Sequence, residues 1–101
     1  MPTDAPIFIH ALSGYSGGGK SMIERWENPN NELANIPYEV PYALERIHKH
    51  IPEMQRYTGL TVQPQFLPAV GSFHSGMRVQ VPLHESIFCI KPDGEEIWSL
   101  L

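Results

Sequence analysis

Ala11-Leu12-Ser13-Gly14-Tyr15-Ser16-Gly17-Gly18-Gly19-Lys20-Ser21 is the stretch on which the fold turns. The residues before it, Pro6 to Leu12, form a short apolar run of the kind that makes a buried strand, and those after it, Ser21 to Glu27, open a helix. A strand therefore feeds a glycine loop that starts a helix. Because glycine carries no Cβ, the backbone of such a loop can approach a ligand closely, and its N–H groups can converge with the helix N-terminus on negative charge. The loop is where a ligand is expected.

Gly14 to Ser21 satisfies G-x-x-x-x-G-K-[ST] at each fixed position, the pattern of a nucleotide-triphosphate phosphate loop. The remaining chain supports that reading poorly. Such a domain needs a parallel sheet of several strand–helix–strand units and a later strand ending in aspartate to help hold magnesium, and no hydrophobic strand after the loop ends in Asp. A small phosphate- or nucleotide-binding module stays open as an alternative.

At 101 residues the chain has room for a single domain, residues 1–101, around one modest core. Its net charge of −4, with basic residues scattered rather than clustered, argues against a nucleic-acid backbone as partner. The longest apolar runs, Pro6 to Leu12 and Ile87 to Ile90, fall far short of the roughly 20 residues of a membrane span, and MPTDAP lacks the features of a secretory signal. A cytoplasmic location is the expectation. The single cysteine, Cys89, agrees with a reducing compartment and reads as a buried strand residue.

Further along, Glu27 to Glu32 is a polar connector and the best candidate for a mobile loop, with the order of Asn28 to Asn35 left open by the sequence. Ile36 to Val40, between Pro37 and Pro41, suits an extended segment at a sheet edge. From Pro41 the spacing of Val40, Leu44, Ile47, Ile51 and Met54 predicts a helix, with a kink, an end or a restart at Pro52 and a stop at Gly59. Leu60 to Val70 reads as a proline-interrupted strand, and Met77 to Leu83 alternates with period two; the two are expected to pair as antiparallel neighbours. Ile87 to Ile90 suggests a further short strand, and Pro92 to Glu96 a turn before a helical tail at Ile97 to Leu101. The order predicts an α+β fold, a small and mainly antiparallel sheet with helices on one face.

His48-Lys49-His50 is the second feature with chemical content. On an unbroken helix, residues two apart point about 200° from each other, which disfavours one metal bound by both, and no metal site is expected. Boundary positions on an amphipathic helix explain the pair without function. A general acid/base explains it with one, since imidazole titrates near neutral pH. Trp26 is expected to pack on its helix face and Glu24 and Glu27 to be solvated. His10, His74 and His84 are expected in hydrogen-bonded structural roles, and Lys20 either adds charge for a phosphate or is solvated.

Three stretches together resemble one family. Ser13 to Glu24, SGYSGGGKSMIE, is similar to the SGVSGAGR segment of N-acetyl-γ-glutamyl-phosphate reductases and to the SGAGK segment of aspartate-semialdehyde dehydrogenase. The stretch from Tyr42-Ala43 through His48 to Met54, ending HKHIPEM, resembles the reductases' HRHxPEI segment, with both histidines, Pro52 and Glu53 present, which makes the second family the less suitable. Phe66 to Met77 is similar to FxPHLVPMxRGI, with Ala69 in place of a histidine and Ser75 in place of an arginine, and through Val81-Pro82-Leu83-His84 it is closer to the family's shorter subgroup.

The resemblance implies the C-terminal catalytic and dimerisation domain of such a reductase, of the glyceraldehyde-3-phosphate-dehydrogenase-like type. It further implies NADP as cofactor, a small-molecule acyl phosphate as substrate, a role in arginine biosynthesis and a homo-oligomer. A histidine would act as proton donor and acceptor, His50 in preference to His48. The cofactor would lie against Ser16 and Gly17, with Ser13 and Gly14 beside them. The family's nucleophilic cysteine precedes the glycine segment, at the end of a dinucleotide-binding domain; no cysteine precedes Ser13 here and no GxGxxG follows a strand. The chain alone is therefore expected to be an inactive fragment. A third reading treats it as an association module, since a small sheet without its partner domain leaves apolar surface.

Overall fold

The structure, a computed structural model, describes residues 2–30, 38–45, 47–88 and 93–99. Four strands and three helices follow in the order β1 (Phe8–Gly14), α1 (Lys20–Glu27), β2 (Glu39–Pro41), α2 (His50–Thr58), β3 (Gln65–Gly71), β4 (Met77–Gln80) and α3 (Gly94–Trp98). Short 3-10 turns occupy Tyr15–Gly18 and Glu85–Ile87.

The strands form one sheet in the order β2-β3-β1-β4. β1 and β3 run parallel, from Phe8 opposite Gln65 to Gly14 opposite Gly71, while β4 and β2 pair antiparallel with β1 and β3. Two of three pairings are thus antiparallel, as the α+β reading requires. β3 and β4, however, are not neighbours: β1 lies between them. A parallel pair needs a long crossover, and the stretch from α1 to α2 supplies it. The hydrophobic patterns of the two late strands carry no information about which partner each one takes, and the apolar β1 takes both.

That topology forces the chain from β3 to β4 to cross the end of β1. The bend at residues 72–76 lies against the start of the glycine loop, and three loop amides donate to it: Gly14 N to Gly76 O, Tyr15 N to Phe73 O and Ser16 N to His74 O, each at 2.9 Å. A Cβ on Gly14 would stand 2.7 Å from the His74 carbonyl oxygen and from Ser75 backbone atoms. Glycine is needed there for backbone packing against backbone.

β2 is an edge strand, as its flanking prolines imply. Pro68 sits inside β3, next to the interior of the sheet. Its carbonyl accepts from Tyr42 N at 3.0 Å, so its N–H-less face also looks toward β2, just past the last residue of that strand. The missing donor costs no bond to β1.

The predicted helix over 41–56 is shorter than its periodicity suggests. Val40 belongs to β2, Leu44 and Ile47 are exposed in irregular chain, Ile47 at 79 %, and the helix begins at His50. Pro52 falls in the first turn, where an N–H has no intrahelical acceptor, so the helix starts there with no kink. Gly59, in the left-handed region at φ 73°, ends it as expected. The stripe continues inward only at Ile51, 2 % exposed, and Met54, which pack with Ala11, Phe66 and Ile9. A second cluster joins Ala5, Ile7, Leu60 and Ile87.

Of the strand expected at Ile87 to Ile90, Ile87 instead closes a 3-10 turn and Phe88 follows in extended conformation as its cap, while Cys89 and Ile90 lie outside the described residues. Of the turn expected at Pro92 to Glu96, Gly94 to Glu96 already belong to α3, with Glu96 N bonded to the Asp93 carboxylate at 2.8 Å, and Pro92 lies outside the described residues. Of the connector, Asn28 to Asn30 form an Asx turn, Asn30 N to Asn28 Oδ1 at 3.0 Å, and 31–35 lie outside the described residues.

A candidate active-site cleft between the glycine loop and two histidines

Side chains of β1 alternate across the sheet, so Ile9, Ala11 and Ser13 share a face with their registered neighbours Phe66, Pro68 and Val70 of β3 and Val79 and Met77 of β4. An open cleft of about 900 Å³ lies on this face. The glycine loop forms one wall, with Ser13, Gly14, Ser16, Gly17 and Gly18 at its margin, and Met22, Arg25 and Trp26 of α1 continue it. The opposite wall is Tyr42 with His48, Lys49, His50 and Met54. All four residues expected to meet a cofactor and both candidate histidines therefore border one cavity.

The loop does not work as its glycines suggest. With the amides of Gly14, Tyr15 and Ser16 donated to the bend, and Gly19 N to Ser16 O at 3.1 Å, four of its N–H groups are already paired and cannot cradle a phosphate. Lys20 is exposed and outside the cleft lining. What the loop offers is a bare surface at Gly17, where a Cβ would find nothing within 4 Å, and the hydroxyls of Ser13 and Ser16. With no side chain at Gly17, a ligand could approach the backbone closely there.

Tyr15 fixes the wall from behind. Its ring stacks on the buried Trp26 at 5.9 Å between centroids and meets His74 edge-on at 5.6 Å, while its hydroxyl donates to Glu27 Oε1 at 3.0 Å. Accepting that bond, the Glu27 carboxylate holds the Tyr15 phenol above its ordinary value. Trp26 is thus the packing residue expected of it, and Glu27 has a partner that its spacing does not disclose. His84 likewise accepts from Ser86 N at 3.1 Å and caps the 3-10 turn, and His10 lies 3.8 Å from Glu39.

The histidine wall contradicts one premise of the helical reading. His48 precedes the helix and His50 is its first residue, so the rings are neighbours, 4.9 Å between centroids, rather than divergent. His48 packs edge-on against Phe66 at 5.0 Å and beside Tyr42 at 5.8 Å. Its Nδ1 accepts from His50 N at 3.1 Å, and His50 Nδ1 lies 2.9 Å from Glu53 Oε2. Burial first, then the adjacent His50 and Lys49, hold the His48 imidazole below its ordinary value, against a weaker opposing pull from Glu53. Among the described residues, no three of His, Cys, Asp and Glu converge as metal ligands would.

Over residues 1–99 the chain matches the family described as the semialdehyde dehydrogenase dimerisation domain. The chain belongs to that family. The dimerisation domain is 45 % identical over 101 residues to N-acetyl-gamma-glutamyl-phosphate reductase 2 of Pseudomonas putida, covering all of this chain and 32 % of that protein. It is 43 % identical over 100 residues to the reductase 2 of Nostoc sp., covering 96 % of this chain and 31 % of that protein. To the N-acetyl-gamma-glutamyl-phosphate reductase of Rhizobium etli it is 48 % identical over 84 residues, 83 % of this chain and 27 % of the other. The chain spans about a third of the length of the curated relatives it matches. No solved structure is significantly similar to it.

The sequence assigns no role to Tyr42 and Arg25, which line the cleft, and matches Glu53 to the family segment without pairing it with His50. That pairing could have been found from the spacing of three between His50 and Glu53 in a first helical turn. Tyr42 and Arg25 carry no local signal.

Proposed function

We propose that this chain is the C-terminal catalytic portion, residues 1–101, of an N-acetyl-γ-glutamyl-phosphate reductase of the shorter type, acting in arginine biosynthesis in the cytoplasm as a homo-oligomer. The observation that carries the reading is that the glycine loop and the His48–His50 pair, distant in sequence, border one cleft, in a chain whose curated relatives bear that reductase name. Among the described residues no helix is long and apolar enough to cross a membrane.

The substrate would be a small acyl phosphate, reduced to a semialdehyde with release of phosphate. NADP in its reduced form would supply the hydride when bound. Within this chain, Ser13, Gly14, Ser16 and Gly17 would form the surface against the cofactor, with the two hydroxyls as hydrogen-bonding groups and Gly17 leaving room for close approach. The apolar floor of Ala11, Pro68 and Val79 would exclude water. One histidine, His50 in preference to His48, would carry the proton at the reacting oxygen. The attacking cysteine would come from an N-terminal dinucleotide-binding domain, which makes the isolated chain inactive.

The test is to combine the chain with such an N-terminal domain and assay phosphate-dependent oxidation of N-acetylglutamate semialdehyde with NADP. The proposal expects activity in the combination, none in either part, and a loss of about a hundredfold or more on His50→Ala. Activity indifferent to both His48→Ala and His50→Ala would overturn the assignment of the cleft.

A further inference from the structure

We infer that His48 and His50 hold opposite tautomers, so that the cleft meets a ligand oxygen with one fixed donor, His48 Nε2–H, and one proton acceptor, His50 Nε2, the latter braced by Glu53. Its chemistry rests on the reductase reading, whereas its geometry rests on two hydrogen bonds whose direction is not negotiable. The amide of His50 can only donate, so His48 Nδ1, 3.1 Å away, must present a lone pair, and the neutral ring carries its proton on Nε2. An ionised carboxylate can only accept, so His50 Nδ1, 2.9 Å from Glu53 Oε2, must carry a proton, and the neutral ring keeps its lone pair on Nε2. Both rings border the cleft, and among the described residues neither Nε2 has a hydrogen-bond partner.

The two nitrogens are therefore a matched pair for an oxygen that gains and loses negative charge. His48 donates a hydrogen bond and keeps its proton. His50 takes up or delivers the proton at Nε2, while its Nδ1–H stays on Glu53, which makes Glu53 a positioning residue. Among the described residues, the charged and titratable groups around the rings are Tyr42 after β2, Lys49 between them and Glu53 on α2, with Arg25 of α1 on the same cleft. The sheet contributes only apolar side chains here, Phe66 against His48 and Ala11 beneath α2. Burial first, then His50 and Lys49, hold the His48 imidazole below its ordinary value, a direction that favours a donor over a proton carrier.

Long-range proton–nitrogen correlation spectra of the histidine rings in the 15N-labelled chain, recorded through neutral pH, test this directly. The expected result is a protonated Nε2 with bare Nδ1 for His48, and the reverse for His50. In Glu53→Ala, His50 should revert toward the Nε2–H form that a free imidazole favours, with His48 unchanged. Both rings in one tautomer, or a His50 tautomer indifferent to Glu53→Ala, would overturn the inference. These spectra do not depend on catalysis, so their failure is distinguishable from failure of the reductase reading, which the assay above reports. In the recombined enzyme, His48→Gln, which keeps an N–H near the Nε2 position, should stay within about tenfold of the parent kcat, whereas His48→Ala loses about a hundredfold. His50→Gln should remove the histidine limb of the pH profile that His48→Gln retains; the opposite pattern would contradict the division of roles.

Discussion

The two walls of the cleft are held by different physics. The glycine loop is fixed by backbone hydrogen bonds to the bend over the end of β1, with one glycine indispensable for close approach and with Tyr15 as its one anchoring aromatic side chain. The histidine wall is irregular chain followed by a short helix, held by Ile51 sinking between Ala11 and Phe66 and by side-chain bonds at half-exposed positions. One wall is a rigid surface, the other a titratable one. The contrast teaches that a glycine pattern can encode packing of backbone on backbone, while one buried side chain, Ile51, seats the start of the helix that carries His50.

The contrast breaks most severely at Ile51. Ile51→Ala empties a site that is 2 % exposed and should cost about 3 kcal/mol in denaturant unfolding, with the histidine tautomers lost while the loop amides stay slow to exchange. Next, Gly14→Ala should cost about 2 kcal/mol, because the clash is with backbone that cannot rotate away, and it should loosen the loop with little effect on His48 and His50. Gly17→Ala sharpens the distinction between the two glycines: nothing surrounds its Cβ, so stability should change by less than about 0.5 kcal/mol while cofactor affinity of the recombined enzyme falls. The smallest effect is with pH. A His48 value below its reference of 6.5 means the unfolded chain takes up this proton first, so the contribution is intact above that pH and is lost as pH falls through the lowered folded value. Melting temperature should drop on acidification from pH 7.5 to 5.5, and His48→Gln should flatten part of that drop.

Much of the fold was readable in the sequence because local chemistry and fold agree. The apolar Pro6 to Leu12 makes an interior strand, the two prolines around Glu39 and Val40 mark an edge, and Gly59 stops a helix. The errors have one cause. Spacings of three and four from Val40 to Met54 mimic a continuous helix, yet Val40 bonds to β3 and Leu44 and Ile47 face solvent, so tertiary pairing overrides periodicity. The same override hid β1 between β3 and β4. At the site, His48, His50 and the loop serines were legible as residue types. Their neighbourhood was not, because proximity of the two rings depends on the helix starting at His50 and not before it.

Amide hydrogen exchange across Gly14 to Ser21, with and without magnesium ATP, tests the central claim that the loop is a packed wall and not a phosphate cradle. The account predicts slow exchange at Gly14, Tyr15 and Ser16 in the free chain and no change on adding the nucleotide. Fast exchange at those three amides, slowed by magnesium ATP, would contradict it.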